Sequence, residues 1–300
     1  MTILQLKYVL MIANSSSMRE AASKLFVSQP ALSSTIRELE EEIGIKIFER
    51  TNKGISLTDQ GSEFISYAKQ AVSQYELIED RYIEKEKDVK HFSVSMQHYV
   101  FAVRAFVNII RLFKEKKYVC AVRETTTAEV LYNVRDMESE IGVIAYSKSN
   151  ENVMKKLFRK YRLDFQSLVV CDTYVYLWKS HPLADRQEIS LKELEEYPCV
   201  SFDQSGDSDF YITEEALGNY KFDKLIKTND RATSSEIMVE LNGYSIGTGI
   251  MMESVIIKDE IIAIKLKEED PLTIGYIIRK NHRLSDIGEA YISELKKYKG

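Results

Sequence analysis

The stretch SMREAASKLFVSQPALSSTIRELEEEIG, residues 17–44, decides how the rest of the chain is read. It divides at Val27-Ser28. Before the break, Ala21, Ala22 and Leu25 fall on one side of a helix, so that side can lie close against a partner helix. After it, Ser28 is placed to cap a second helix. Pro30 falls in that helix's first turn, where a missing backbone N–H costs little. The second helix runs to Gly44, with Leu32, Ile36, Leu39 and Ile43 recurring every three or four residues as a stripe to be buried. Its other face carries Gln29, Ser33, Ser34 and Arg37, short or planar hydrogen-bonding groups that can reach base edges in a major groove. The pattern predicts a helix-turn-helix. The plainer reading is a helical hairpin whose polar face meets only water.

The next segment weighs against the plainer reading. KIFERTNKGISLT, residues 46–58, alternates like a two-stranded wing: Ile47 and Phe48 lead out, Asn52-Lys53-Gly54 turns, and Ile55 and Leu57 return. Arg50 and Lys53 fall on or beside the tip, where they can meet phosphates or a narrow minor groove. Ahead of the motif, Leu4, Leu6, Val9, Leu10, Ile12 and Ala13 form a first helix that can close the small core. The order AASKLFVSQPALSSTIRELEEEIGIKIFER (residues 21–50), wing, then LTDQG (residues 57–61) opening a long helix resembles the LysR-type transcriptional regulators. That resemblance implies that Gln29, Pro30, Ser33 and Ser34 meet bases while Arg50 and Lys53 meet the DNA backbone.

From Thr58 a helix is expected to run through residue 87. Phe64, Ala68, Ala71, Tyr75, Ile78 and Tyr82 recur at spacings of 4, 3, 4, 3 and 4. A helix leaving a small domain has little of its own chain to bury such a seam against, so pairing with the same helix of a second subunit is expected. The alternative is packing on its own chain. Pairing would hold two recognition helices at the separation that two half-sites require. Residues 84–90, EKEKDVK, read as a charged hinge.

Beyond the hinge, strands and helices alternate. Strands are expected at 92–96, 118–123 and 141–145 and helices at 100–116 and 127–134. A second unit begins near Phe165, and the two together imply a mostly parallel sheet covered on both faces. In such sheets ligands sit beyond the carboxyl ends of strands, beside helix amino termini. Met96, Gln97, His98 and Tyr99 follow the first strand, and Thr125, Thr126 and Thr127 follow the second. Phe202, Gln204, Thr233 and Thr248 occupy comparable places in the second unit. For the threonines, helix capping is as good a reading as ligand contact, and Tyr146 reads equally as core or pocket. The expectation is a polar pocket for a small metabolite, with helix dipoles favouring an anion. His-Pro-Leu-Ala at 181–184 and Tyr-Ser-Ile-Gly-Thr-Gly-Ile at 244–250 resemble the effector domain of the same family, so the likeness spans the chain. It implies a periplasmic-binding-protein-like effector domain of two α/β lobes. The expected organisation is a winged helix-turn-helix domain over 1–57, a linker and dimerisation helix with hinge over 58–90, and the effector domain over 91–300. Its lobe I takes in 91–163 and 268–300, and its lobe II takes in 164–267.

Composition sets the outer limits. Three hundred residues with 44% hydrophobic content hold enough apolar material for two or three domains. No run approaches the roughly 18–20 apolar residues of a membrane span and no signal peptide stands at the amino terminus, so a cytoplasmic protein that does not enter membranes is expected. Cys120, Cys171 and Cys199 are too few and too scattered for a disulfide framework and read as buried apolar residues. His91, His98, His181 and His282 show no ligand spacing. The net charge is −5, and residues 1–57 carry seven Lys/Arg against six Asp/Glu, too little positive charge to coat nucleic acid indiscriminately. No phosphate loop, nucleophile elbow or metal cluster is present, so no catalytic residue, metal or cofactor is assigned. The reading is a regulator that binds a promoter palindrome in double-stranded DNA as a dimer or tetramer, is controlled by a metabolite, and has RNA polymerase as a further candidate partner. Its rivals are an enzyme or carrier with a helical dimerisation arm, and an effector-independent DNA-binding protein.

Overall fold

The computed structural model describes residues 1–51, 54–82, 89–114, 117–205, 214–250 and 260–298; the side chains of 50, 51, 54, 77 and 80–82 stand outside that description. The chain divides into two compact units, Met1–Asp88 and Val89–Gly300.

In the first unit, α1 (Ile3–Ala13) starts at a capping box between Thr2 and Gln5. It is followed by α2 (Met18–Lys24) and α3 (Gln29–Ile43), then the antiparallel β1 (Phe48–Thr51) and β2 (Gly54–Leu57), and α4 (Asp59–Tyr82). Val9, Ile12, Ala21, Ala22, Leu32, Ile36, Leu39, Ile47 and Ile65 make one core. The small Ala21 and Ala22 let α2 approach its neighbours. Glu40 is buried at the end of this core. Its carboxylate accepts the N–H groups of Ile47 at 2.8 Å and Phe48 at 3.1 Å, with Lys46 Nζ at 2.6 Å. Burial alone would raise its pKa, but Lys46 and the two N–H groups outweigh that and hold it below the ordinary carboxylate value. Glu40 thus ties α3 to the start of the wing. Thr58 accepts from Gly61 N and donates to the Lys46 carbonyl, starting α4 against the same strand. Gly61 has no room for a side chain: a Cβ there would stand 2.0 Å from the Ile47 carbonyl oxygen.

In the second unit, β3 (Val89–Met96), α5 (Val100–Leu112), β4 (Lys117–Glu124), α6 (Thr127–Arg135), β5 (Ile141–Ser147), α7 (Glu151–Lys160) and β6 (Leu163–Cys171) build the first lobe. The second lobe is built from β7 (Tyr174–Trp178), β8 (Glu188–Ile189), α8 (Leu191–Leu194), β9 (Cys199–Phe202), β10 (Leu225–Thr228), α9 (Arg231–Glu240), β11 (Ser245–Gly247) and β12 (Ile261–Leu266). Next β13 (Leu272–Arg279) and α10 (Asp286–Leu295) return to the first. The first sheet runs β4-β3-β5-β13-β6. The first three strands are parallel, as the alternation with helices requires, whereas β13 lies antiparallel to both β5 and β6. The second lobe departs further from the expected parallel sheet. Its four-stranded sheet β11-β7-β12-β8 is antiparallel except at β8, because its strands are not joined by crossover helices, and β9 and β10 form a separate parallel pair.

Two further expectations change. The chain crosses between lobes at Asp172-Thr173, not near 163, because β6 pairs with β13 along its whole length as the edge of the first sheet. And α7 is an element that the sequence analysis omits, although Val153, Met154, Leu157 and Phe158 have helical spacing; Met154, Leu157 and Phe158 are buried against β6 and β5. At the crossing, Leu272 pairs with Cys171 in one sheet and Lys265 with Tyr174 in the other, so the two connecting segments run side by side. Thr173, 1% exposed, lies on the outgoing segment and holds the returning one. Its carbonyl accepts from Leu266 N at 3.0 Å and its hydroxyl from Asp270 N at 2.9 Å. Cys171 and Cys199 are buried and Cys120 half-buried. Among the described residues, no helix is long and apolar enough to cross a membrane.

Candidate nucleic-acid interface and inter-lobe cavity

The recognition face is set by how α3 starts. Ser28 Oγ accepts from Ala31 N at 3.3 Å, Pro30 takes the first turn, and Leu32, Ile36 and Leu39 turn inward. Gln29, Pro30 and Arg37 are exposed and Ser33 and Ser34 half-exposed. Ser34 donates to Glu38 at 3.0 Å and Arg37 lies 3.9 Å from Glu41, exposed contacts that a stronger partner can displace. Pro30, Ser33, Ser34 and Arg37 line a shallow groove together with Lys46, Phe48 and Ile55 from the wing. Lys46 is not among the residues expected from the sequence, and its place beside the wing's first strand is the signal that could have found it. Arg50 lies in β1, its side chain outside the described residues, and Lys53 falls outside them altogether.

The α4 seam is only partly covered by its own chain. Phe64 and Ala68 pack on the chain's own α1, beside Leu6 and Leu10, with Ile65 and Val72 completing that contact. Lys7 Nζ lies over the Tyr75 ring, 5.4 Å from its centroid. Ala71 and Ile78 are exposed, and so is Tyr67, one turn before Ala71. The side chain of Tyr82 lies outside the description, as do residues 83–88 and with them most of the expected hinge.

Between the lobes of the second unit lies a cavity of about 210 Å³. Of the expected residues, His98, Tyr99, Phe202 and Thr248 line it. Met96 is core. Gln97 and Thr127 are buried beside the cavity and bonded to each other: Gln97 Nε2 donates to Thr127 Oγ1 at 2.6 Å, and Gln97 Oε1 accepts from Ala145 N at 2.6 Å. Gln204 reaches over from the second lobe to accept Thr127 N at 2.8 Å, filling the α6 amino terminus with a protein oxygen. Thr125 N bonds the Met96 carbonyl, Thr126 caps α6 by accepting from Glu129 N, and Thr233 is held by Asp230 at the start of α9. Tyr146 is core.

The sequence does not disclose the acids. His98 stacks on Phe202, with centroids 3.7 Å apart and planes 4° off parallel, and its Nδ1 lies 2.9 Å from Glu214 Oε1. Burial alone would lower the imidazolium pKa, but the bond to Glu214 and the charges of Glu214, Glu124 and Glu215 raise it above the ordinary value. Glu214 is raised by burial despite that bond. Glu215 accepts Phe202 N at 2.8 Å; burial, then the Glu214 charge, push it up to about 8. Arg231 on α9 forms a two-bonded fork with Glu124 at the end of β4, at 2.6 and 3.1 Å, joining the lobes. Tyr176 meets Thr248 Oγ1 at 3.3 Å, and Phe101, Met238, Ile246 and Ile250 complete an apolar wall. Glu214 and Glu215 stand far along the chain from His98 and in no periodic element, so no local pattern points to them.

Comparison with known proteins places the chain. Residues 3–62 match the family profile for the bacterial regulatory helix-turn-helix protein of the lysR family, and residues 101–299 match the LysR substrate binding domain. The chain belongs to the LysR family of DNA-binding transcriptional regulators. The HTH-type transcriptional regulator YbhD of Escherichia coli is 26% identical over 298 residues, covering 97% of this chain and 89% of its own. Full-length OxyR from Pseudomonas aeruginosa is 17% identical with a TM-score of 0.64, covering 99% of this chain and 98% of its own. CbnR in complex with its target DNA is 18% identical with a TM-score of 0.61 and 99% coverage of each chain. These structures share the fold from end to end.

Proposed function

We propose that this LysR-family regulator reads a two-fold-related promoter site as a self-associated pair, with occupancy of the inter-lobe cavity setting its regulatory state. Gln29, Pro30, Ser33, Ser34 and Arg37 are the base-reading edge, the wing residues Arg50 and Lys53 meet the backbone, and Tyr67, Ala71 and Ile78 form the surface through which α4 meets a second copy. The solved complex of CbnR with its target DNA supports carrying DNA binding over to this chain, and the exposed polar face of α3 beside the wing is the surface suited to it. The observation that carries control is the position of the cavity. It is walled by both lobes beside two contacts that join them, Glu124 with Arg231 and Thr127 with Gln204. A ligand seated there contacts both lobes only in one arrangement, and so biases the equilibrium between arrangements. The cavity binds without turnover, and the protein works in the cytoplasm. Genome-wide footprinting of the full chain, with and without cavity ligand, tests this: paired half-sites protected in a ligand-dependent pattern are expected, and unstructured protection would overturn it.

A further inference from the structure

Resting on the proposal that the inter-lobe cavity is the effector site, we infer that its ligand carries a protonated amine on an apolar body, and is not the anion that strand-end pockets beside helix termini generally favour. Several of the places an anion would take are already filled by the protein, although the start of α5 at Tyr99-Val100-Phe101 faces the cavity without a side-chain cap. The α6 amino terminus receives Gln204 Oε1, α9 is capped by the Asp230 carboxylate, and the Glu214 carboxylate stands at the end of β3 against His98. A ligand carboxylate entering here meets Glu214 and Glu215. The cavity's cations already carry carboxylates of their own, His98 that of Glu214 and Arg231 that of Glu124.

The remaining wall suits a cation with a hydrocarbon body. Tyr99 and Tyr176 line it with aromatic surface, the Phe202 ring being stacked on His98, and Met238, Ile246 and Ile250 add apolar surface. Aromatic faces attract an ammonium most strongly where it is desolvated. Glu215, whose Oε1 accepts the Phe202 N–H, is the acid best placed to hold it. The charged and titratable groups around it are Glu214, His98, Tyr99, Glu124, Tyr176, Cys199 and Arg231. Burial and the Glu214 charge push Glu215 up to about 8, which favours its protonated form near neutral pH. An ammonium brought against it reverses that balance, and the proton leaves as the amine binds.

The test uses the full chain and titration calorimetry with primary amines graded from butylamine to 2-phenylethylamine. Each is set beside the alcohol and the carboxylate on the same carbon skeleton. Amines are expected to bind at least about tenfold more tightly than their alcohols, and near pH 7 to release about one proton each, read from the dependence of heat on buffer. Glu215→Gln, which imitates the protonated acid and keeps an acceptor for Phe202 N–H, should remove the proton release and at least about tenfold of the amine preference while leaving the alcohols unchanged. Carboxylates or alcohols binding more tightly than amines, or an amine preference untouched by Glu215→Gln, would overturn the inference while leaving the cavity as effector site. Absence of binding by all three series would overturn both.

Discussion

Two buried acids show how a single side chain can serve either architecture or control. Glu40 satisfies two backbone N–H groups at the root of the wing, so Glu40→Ala leaves Ile47 N and Phe48 N buried without their acceptor. A loss of about 1–3 kcal/mol in stability is expected, together with weaker DNA binding although no base contact is removed. Chemical denaturation and a mobility shift measure the two effects. Glu215 has the opposite sign. Its folded pKa lies above its unfolded one, so folding loses stability as pH rises from the ordinary carboxylate value of 4.5 toward about 8. Glu215→Gln should stabilise the fold little at pH 4 and clearly at pH 8, by an amount on the order of 1–3 kcal/mol, read as a higher melting temperature at pH 8 only. A uniform shift across that range would refute the assignment. On the recognition edge, Gln29→Ala or Ser33→Ala should reduce discrimination between operator and altered operator by about 1–3 kcal/mol, while Arg50→Ala weakens every sequence alike. Selective loss with Arg50→Ala would exchange those roles.

Among elements, α3 is legible in the sequence because its signals are all local: the Ser28 cap, Pro30, the Leu32, Ile36 and Leu39 stripe, and Gly44, which ends the helix at φ 72°. The heptad seam of α4 is legible as a seam but not as an interface, because spacing says which residues share a face and not whose surface covers it. Leu6 and Leu10 of α1 take Phe64 and Ala68, and the free edge is shifted toward Tyr67, Ala71 and Ile78. Ile78→Glu should therefore dissociate the pair with little change in monomer stability, read by sedimentation, whereas Ala68→Glu should unfold the first unit. The cavity is half legible. His98, Tyr99, Phe202 and Thr248 follow from the rule that strand ends carry ligands, whereas Glu214 and Arg231 meet their partners only through long-range folding and leave no periodic trace.

For the whole molecule, the net charge of −5 and the near balance of residues 1–57 limit what electrostatics can supply. Affinity for random DNA, measured by titration against salt, should fall away at modest ionic strength, and specific binding should rest on two half-sites engaged together. The side-by-side crossings at Asp172-Thr173 and between β12 and β13 add a mechanical consequence. Two adjacent segments passing from one lobe to the other, the outgoing one pinned by Thr173 to the returning one at Leu266 and Asp270, resist twisting and sliding but can flex across their common line. The lobes then have one soft coordinate, an opening angle, and whatever occupies the cavity can be reported to the rest of the protein only as a reading on that single dial.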